Sequence, residues 1–191
     1  MAKKSVFTLN YYHMKNALFL IAALVLIITS CKKDTISNQS DYEKSYKAWQ
    51  TFKQSVNNSY TYLVNTGSFT GYSTETTITV VNGAIKSRSY RSFKLDYAGQ
   101  NVPVKTLIKT WVEDSNSLNT HGDYEGAELL TLDEIYAKAK SLWLAADKST
   151  NTIYFETKNN GLISSCGYVP NGCQDDCFNG IKISYIGANF K

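Results

Sequence analysis

Apolar residues follow three rhythms along the 191-residue chain, and each predicts a different element. From Ala17 to Ile28 they run without interruption. Tyr42, Tyr46, Trp49, Phe52 and Val56 then recur at spacings of four, three, three and four, the period of one helix face, until Asn57-Asn58 ends the run. Beyond it the rhythm shortens. Ser59–Val64 alternates through Tyr60 and Tyr62, and Thr76–Val81 is almost wholly β-branched, so both predict strands. Asn82-Gly83 predicts a type I′ hairpin, because both residues tolerate the positive φ that turn needs, and the return strand runs from Ala84 to about Phe93.

A further strand is predicted over Val102–Val112, entered through Pro103, followed by a polar loop from Glu113 to Gly126. Thr131-Leu132-Asp133-Glu134 has the form of a capping box. The helix it opens carries Leu132, Ile135, Tyr136, Ala139, Leu142 and Trp143 as its apolar stripe and should stop near Ala146. Thr152–Lys158, a turn at Asn159-Asn160-Gly161, Leu162–Val169 and Ile181–Ile186 complete the chain. The expected fold class is α+β, an antiparallel sheet packed on one face by two amphipathic helices, in two halves that each read helix, strand, strand, strand.

The uninterrupted run has a different meaning. Its twelve residues fall short of the roughly 18 that span a bilayer core, basic Lys3, Lys4 and Lys15 precede it, and small residues come after it, the layout of a secretory signal sequence. Met14 heads a more typical signal start than Met1. Ile28-Thr29-Ser30-Cys31 resembles the lipobox of bacterial lipoproteins. The resemblance implies cleavage between Ser30 and Cys31, a thioether-linked diacylglyceryl group on Cys31, and membrane attachment through it. At about 0.8 kcal/mol per buried methylene, two or three acyl chains hold a protein durably. Lys32-Lys33, with no Asp directly after the cysteine, favours the outer membrane by the same resemblance. The expected organisation is a signal peptide over 1–30, a lipidated cysteine and polar tether over 31–40, and one domain over 41–191.

Composition excludes several classes. With 43% hydrophobic and 13% aromatic residues the chain is too apolar for disorder, and four cysteines are too few for a disulfide-dense miniprotein. The formal charge of +4 is largely the targeting signal, since cleavage before Cys31 removes three lysines and no acid, leaving 17 basic against 16 acidic residues. Lys86, Arg88 and Arg91, with Lys94 after them, form a local basic cluster that reads as a solvated strand face; no nucleic-acid partner is expected. Trp49, Ser59-Tyr60-Thr61-Tyr62, Val80-Val81-Asn82-Gly83, Thr131 to Tyr136 and the closing strand pair resemble small bacterial lipoproteins that carry only a domain-of-unknown-function label. The architecture is also similar to secreted inhibitor and PepSY-like domains, which implies binding of other proteins through a concave sheet.

Residues that could carry chemistry are few. Lipidation of Cys31 leaves Cys166, Cys173 and Cys177, an odd set in an oxidising envelope. Cys173–Cys177 is the favoured pair, with Cys166 left as a small buried hydrophobe; Cys166–Cys177 is also feasible. Zinc lacks a fourth ligand, and Asp175, Asp176 and Asn179 could hold calcium only outside the EF-hand pattern, so no metal or cofactor is expected. His121, between Asn119 and Glu125, is the lone histidine beyond the signal segment and could serve as a general base, but no HExxH, Gly-x-Ser-x-Gly or phosphate loop accompanies it. The expectation is therefore a non-catalytic binding or envelope-structural module, whose partner is an envelope protein or polysaccharide. A hydrolase or metal-dependent enzyme built on the His121 loop and a calcium-stabilised adhesion module are the alternatives.

Overall fold

The computed structural model describes residues 36–97, 99, 103–122 and 125–189. The signal segment 1–30 with Ser30, the lipid site Cys31, the tether as far as residue 35, and Tyr124 lie outside them. Helix α1 spans Gln39–Ser55, followed by strands β1 (Tyr60–Ser68), β2 (Tyr72–Val81), β3 (Ala84–Asp96) and β4 (Val104–Glu113). Helix α2 (Leu132–Lys138) continues as a π-helical turn over Ala139–Trp143, and β5 (Asn151–Glu156), β6 (Ser165–Pro170) and β7 (Asn179–Ala188) come after it. The class is α+β, a seven-stranded antiparallel sheet in the order β4-β3-β2-β1-β7-β6-β5 with two helices. The halves are unequal, four strands after α1 and three after α2. No helix among the described residues is long and apolar enough to cross a membrane.

The helix stripe and the strand alternation meet in one core. Trp49 of α1 is fully buried, its ring edge-on to Tyr60 at 5.1 Å and stacked on Tyr136 at 6.3 Å. The hydroxyls of Tyr60, Tyr62 and Tyr136 in this core are each occupied, as burial demands. Tyr60 Oη accepts the Leu132 N–H at 2.9 Å, Tyr62 Oη donates to the Leu130 carbonyl, and Tyr136 Oη accepts the Ile163 N–H at 3.1 Å. Two tyrosines of β1 thus fix the entry to α2. The capping box adds to this: Thr131 Oγ1 accepts the Glu134 N–H and Glu134 Oε2 accepts the Thr131 N–H.

Three local features depart from the periodic reading. The fold begins before Asp41, since Ile36 and Ser37 are buried and the Ser37 N–H bonds the Leu144 carbonyl at 2.8 Å, so the end of the expected tether is part of the core. In the π turn the Leu144 N–H reaches back five residues to Ala139 O, which adds a residue to the turn and rotates the side chains beyond it. Leu144 is 1% exposed in consequence and Leu142, counted in the stripe, is 47% exposed. The third feature is a bulge at Lys86. The hairpin turn has the expected positive φ at Asn82 and Gly83, but pairing shifts from Val80↔Ile85 to Thr79↔Ser87. That extra residue moves Arg88 from the outer face into register with buried Ile78.

Candidate functional site

Arg88 is consequently not part of a solvated basic face. It is fully buried opposite Glu113 of β4, also fully buried, and the two form a two-pronged ion pair with Nε–Oε2 at 2.9 Å and Nη2–Oε1 at 3.0 Å. Arg88 Nη1 also donates to the Ala127 carbonyl at 3.0 Å. Glu113 further accepts the backbone N–H groups of Asn119 (3.0 Å) and His121 (2.9 Å), while Thr120 Oγ1 and His121 Nδ1 approach at 3.3 and 3.1 Å. Burial alone would raise the Glu113 pKa. The Arg88 guanidinium, the two backbone donors and the His121 ring outweigh it and bring the carboxyl to about 2.

His121 sits on this carboxylate with its ring stacked on Trp111 at 4.2 Å, and Trp111 is stacked in turn on Tyr90 at 5.1 Å. The histidine is therefore a surface residue with 35% of its side chain exposed, held in a fixed place by its neighbours. A carboxylate orienting a histidine is one element of nucleophilic catalysis. Among the described residues, however, no serine, threonine or cysteine bonds the other ring nitrogen. Glu113, saturated with donors, ties the Asp114–Gly122 loop to the sheet. Nothing local in the sequence marked this pair; it arises only from the bulge in β3.

Cys173 and Cys177 are joined, with Cα atoms 6.3 Å apart, and Cys166 is a free thiol buried on β6. Burial pushes that thiol up to about 12. Asp176, inside the disulfide-closed loop, accepts a hydrogen bond from Ser68 Oγ at 2.7 Å, and Asn179 Nδ2 donates to Cys177 O at 3.0 Å. Among the described residues no group of three or more His, Cys, Asp or Glu side chains converges as a metal site would require.

Strand β7 borders three adjoining openings. Asn179–Lys182 pairs with β6, and Ile183–Ala188 pairs with β1, so the strand changes partner midway. The change coincides with a bulge at Ser184, where the register passes from Leu63↔Tyr185 to Val64↔Ile183. Past Val64 the β1–β7 ladder stops, and Asn65–Ser68 separates from Asn179–Lys182. A cavity of about 340 Å³ lies between these two segments, lined by Thr66, Gly67, Gly180 and Lys182 among others. On the face away from the helices it adjoins a groove of about 650 Å³ bordered by Tyr154, Phe178, Lys182 and Asn65. On the helix side it adjoins a recess of about 310 Å³ lined by Val64, Leu130, Trp143 and Ile181.

Burial divides the aromatic residues outside the helices. Tyr60, Tyr62, Tyr90 and Trp111 are buried, whereas Tyr72, Tyr97, Tyr154 and Tyr185 are exposed. Phe178 lies over Gly167, whose missing side chain makes room for it: a Cβ there would stand 2.6 Å from the ring. Tyr154 meets Phe178 edge-on at 6.3 Å, and Lys182 Nζ lies 5.0 Å from the Phe178 centroid. Comparisons with protein-family models, with curated proteins and with solved structures found no match to this chain.

Proposed function

We propose that this chain is a lipid-anchored protein of the outer membrane, with a signal peptide over 1–30 and acylation at Cys31, whose domain binds an envelope protein or polysaccharide without catalysis. The observation that carries the binding role is the uncovered sheet face, where Tyr154 and Phe178 stand around an open groove of about 650 Å³. Rigid rings that offer contact area at small entropic cost are the residues binding surfaces favour. Ile28-Thr29-Ser30-Cys31 supports the anchor. The saturation of Glu113 speaks for a structural role of His121 and against the enzyme alternative.

Two measurements test the two parts. Cys31→Ala should abolish incorporation of labelled palmitate and move the protein out of the membrane fraction; a variant that still labels refutes the anchor. A photo-crosslinking amino acid at position 154 of the full chain should give a discrete adduct in intact cells, and one placed at exposed position 47 of α1, which borders none of these openings, should not. Equal adducts at both positions, or none at 154, refute binding through the uncovered face.

A further inference from the structure

We infer that the opening between β1 and β7 is a slot for one extended segment of a partner polypeptide, which would enter the sheet as an additional strand. The inference rests on the binding role proposed above and names the chemistry of the bound partner. Its basis is the backbone. In an antiparallel ladder every second residue directs its N–H and C=O to one neighbour and the intervening residues direct theirs to the other. Asn65–Ser68 is paired with β2 on one side, and Gly180–Lys182 is paired with β6 on one side. Their remaining edges face the cavity of about 340 Å³, and among the described residues no ladder joins them. Two rows of backbone donors and acceptors facing one gap match another polypeptide backbone. A polysaccharide offers hydroxyls without that repeat.

The side-chain spaces agree with a strand. Successive residues of an inserted strand would point alternately to the two faces of the sheet. The cavity adjoins a space on each: the recess against Leu130, Trp143 and Ile181 on the helix side and the groove against Tyr154 and Phe178 on the other. The bound segment should therefore carry an aliphatic side chain at one position and an aromatic or aliphatic one at the next. Two side-chain bonds frame the slot. Ser184 Oγ to Asn65 Oδ1, at 2.7 Å, lies where the ladder ends, and Ser68 Oγ to Asp176 Oδ2, at 2.7 Å, bridges the strand tip and the disulfide loop. The second bond must yield or be passed beneath as the segment enters, which gives the Cys173–Cys177 loop a role as a clasp.

The test uses the detergent-solubilised full chain and a phage-displayed library of linear dodecapeptides, with hydrogen exchange read by mass spectrometry at single-residue resolution. Selected peptides should slow exchange at Asn65–Ser68 and Gly180–Lys182 by at least about tenfold, the signature of new backbone pairing. They should lose binding when alternate peptide nitrogens are methylated, while the same peptides methylated at the intervening positions retain it. Peptides that bind but protect neither segment, or that tolerate methylation at every position, overturn the slot and leave the binding role standing. Failure to select any peptide, with a crosslinked adduct at position 154 traced to a polysaccharide, overturns it equally. Absence of both peptides and adduct overturns the binding role as well.

Discussion

Glu113→Gln isolates the buried ion pair, because it keeps the shape of the side chain and removes its charge. Oε2 accepts from Arg88 Nε and the Asn119 N–H, and Oε1 from Arg88 Nη2 and the His121 N–H. Whichever oxygen becomes an amide nitrogen, two buried donors meet another donor, and Arg88 loses the counter-charge of Glu113. Removing one partner from a buried pair costs about 3–5 kcal/mol. The depressed pKa of Glu113 points to a similar figure. The folded carboxyl has a pKa of about 2 against 4.5 for the free group, a difference worth about 3 kcal/mol.

The depressed value sets the sign. The unfolded chain binds the proton more tightly, so this stability is fully present above about pH 5 and is lost as pH falls through 4.5 toward 2. At pH 7 the variant should melt about 10 °C below the parent, at 2–4 °C per kcal/mol for a domain of this size. Thermal melts followed by circular dichroism from pH 7 to 2.5 should show the gap closing with acid, because the parent loses a stabilisation the variant never had. A drop smaller than ~2 °C at pH 7, or a gap that stays constant down to pH 2.5, would refute the account of Arg88 and Glu113.

Leu144→Ala should lose about 2–5 kcal/mol in a urea titration and Leu142→Ala less than about 0.5, given their 1% and 47% exposure; equal losses would exclude the π turn. Thr131→Ala removes one arm of the capping box and should cost about 1 kcal/mol in the same titration, with an unchanged midpoint counting against it. In a Cys31→Ser variant at pH 8, a thiol reagent should find no fast-reacting group in the native protein and one in denaturant without reductant. Burial holds the Cys166 thiol near a pKa of about 12, and three reactive thiols would mean that Cys173 and Cys177 are not joined.

Sequence made the regular parts of this molecule legible where a short-range rule governs them. The Tyr42-Trp49-Phe52 stripe, the Asn82-Gly83 turn and the Thr131/Glu134 box each depend on residues within a few positions, and each has its structural counterpart. The features that escaped turn on single inserted residues. Lys86, Ile108 and Ser184 each break a ladder register, and the π turn does the same for a helix. Because side chains alternate with a period of two, one extra residue exchanges inside for outside, and a basic strand face became a buried ion pair in this way. The cleft was equally hidden, since it arises where β7 changes partner and not from any motif.

The pairing of β1 with β7 places about two thirds of the 191-residue chain between two adjacent strands: Tyr60 lies opposite Ala188. The centre of the sheet is thus completed by the last of the described strands in chain order. Until it arrives, β1 presents a bare edge and the aromatic core under α1 is closed on one side only, so the slowest step of assembly should be this long-range closure. If the chain is exported and anchored as proposed, that order has a use: the sheet cannot close ahead of β7, so the chain would stay threadable until that strand has crossed.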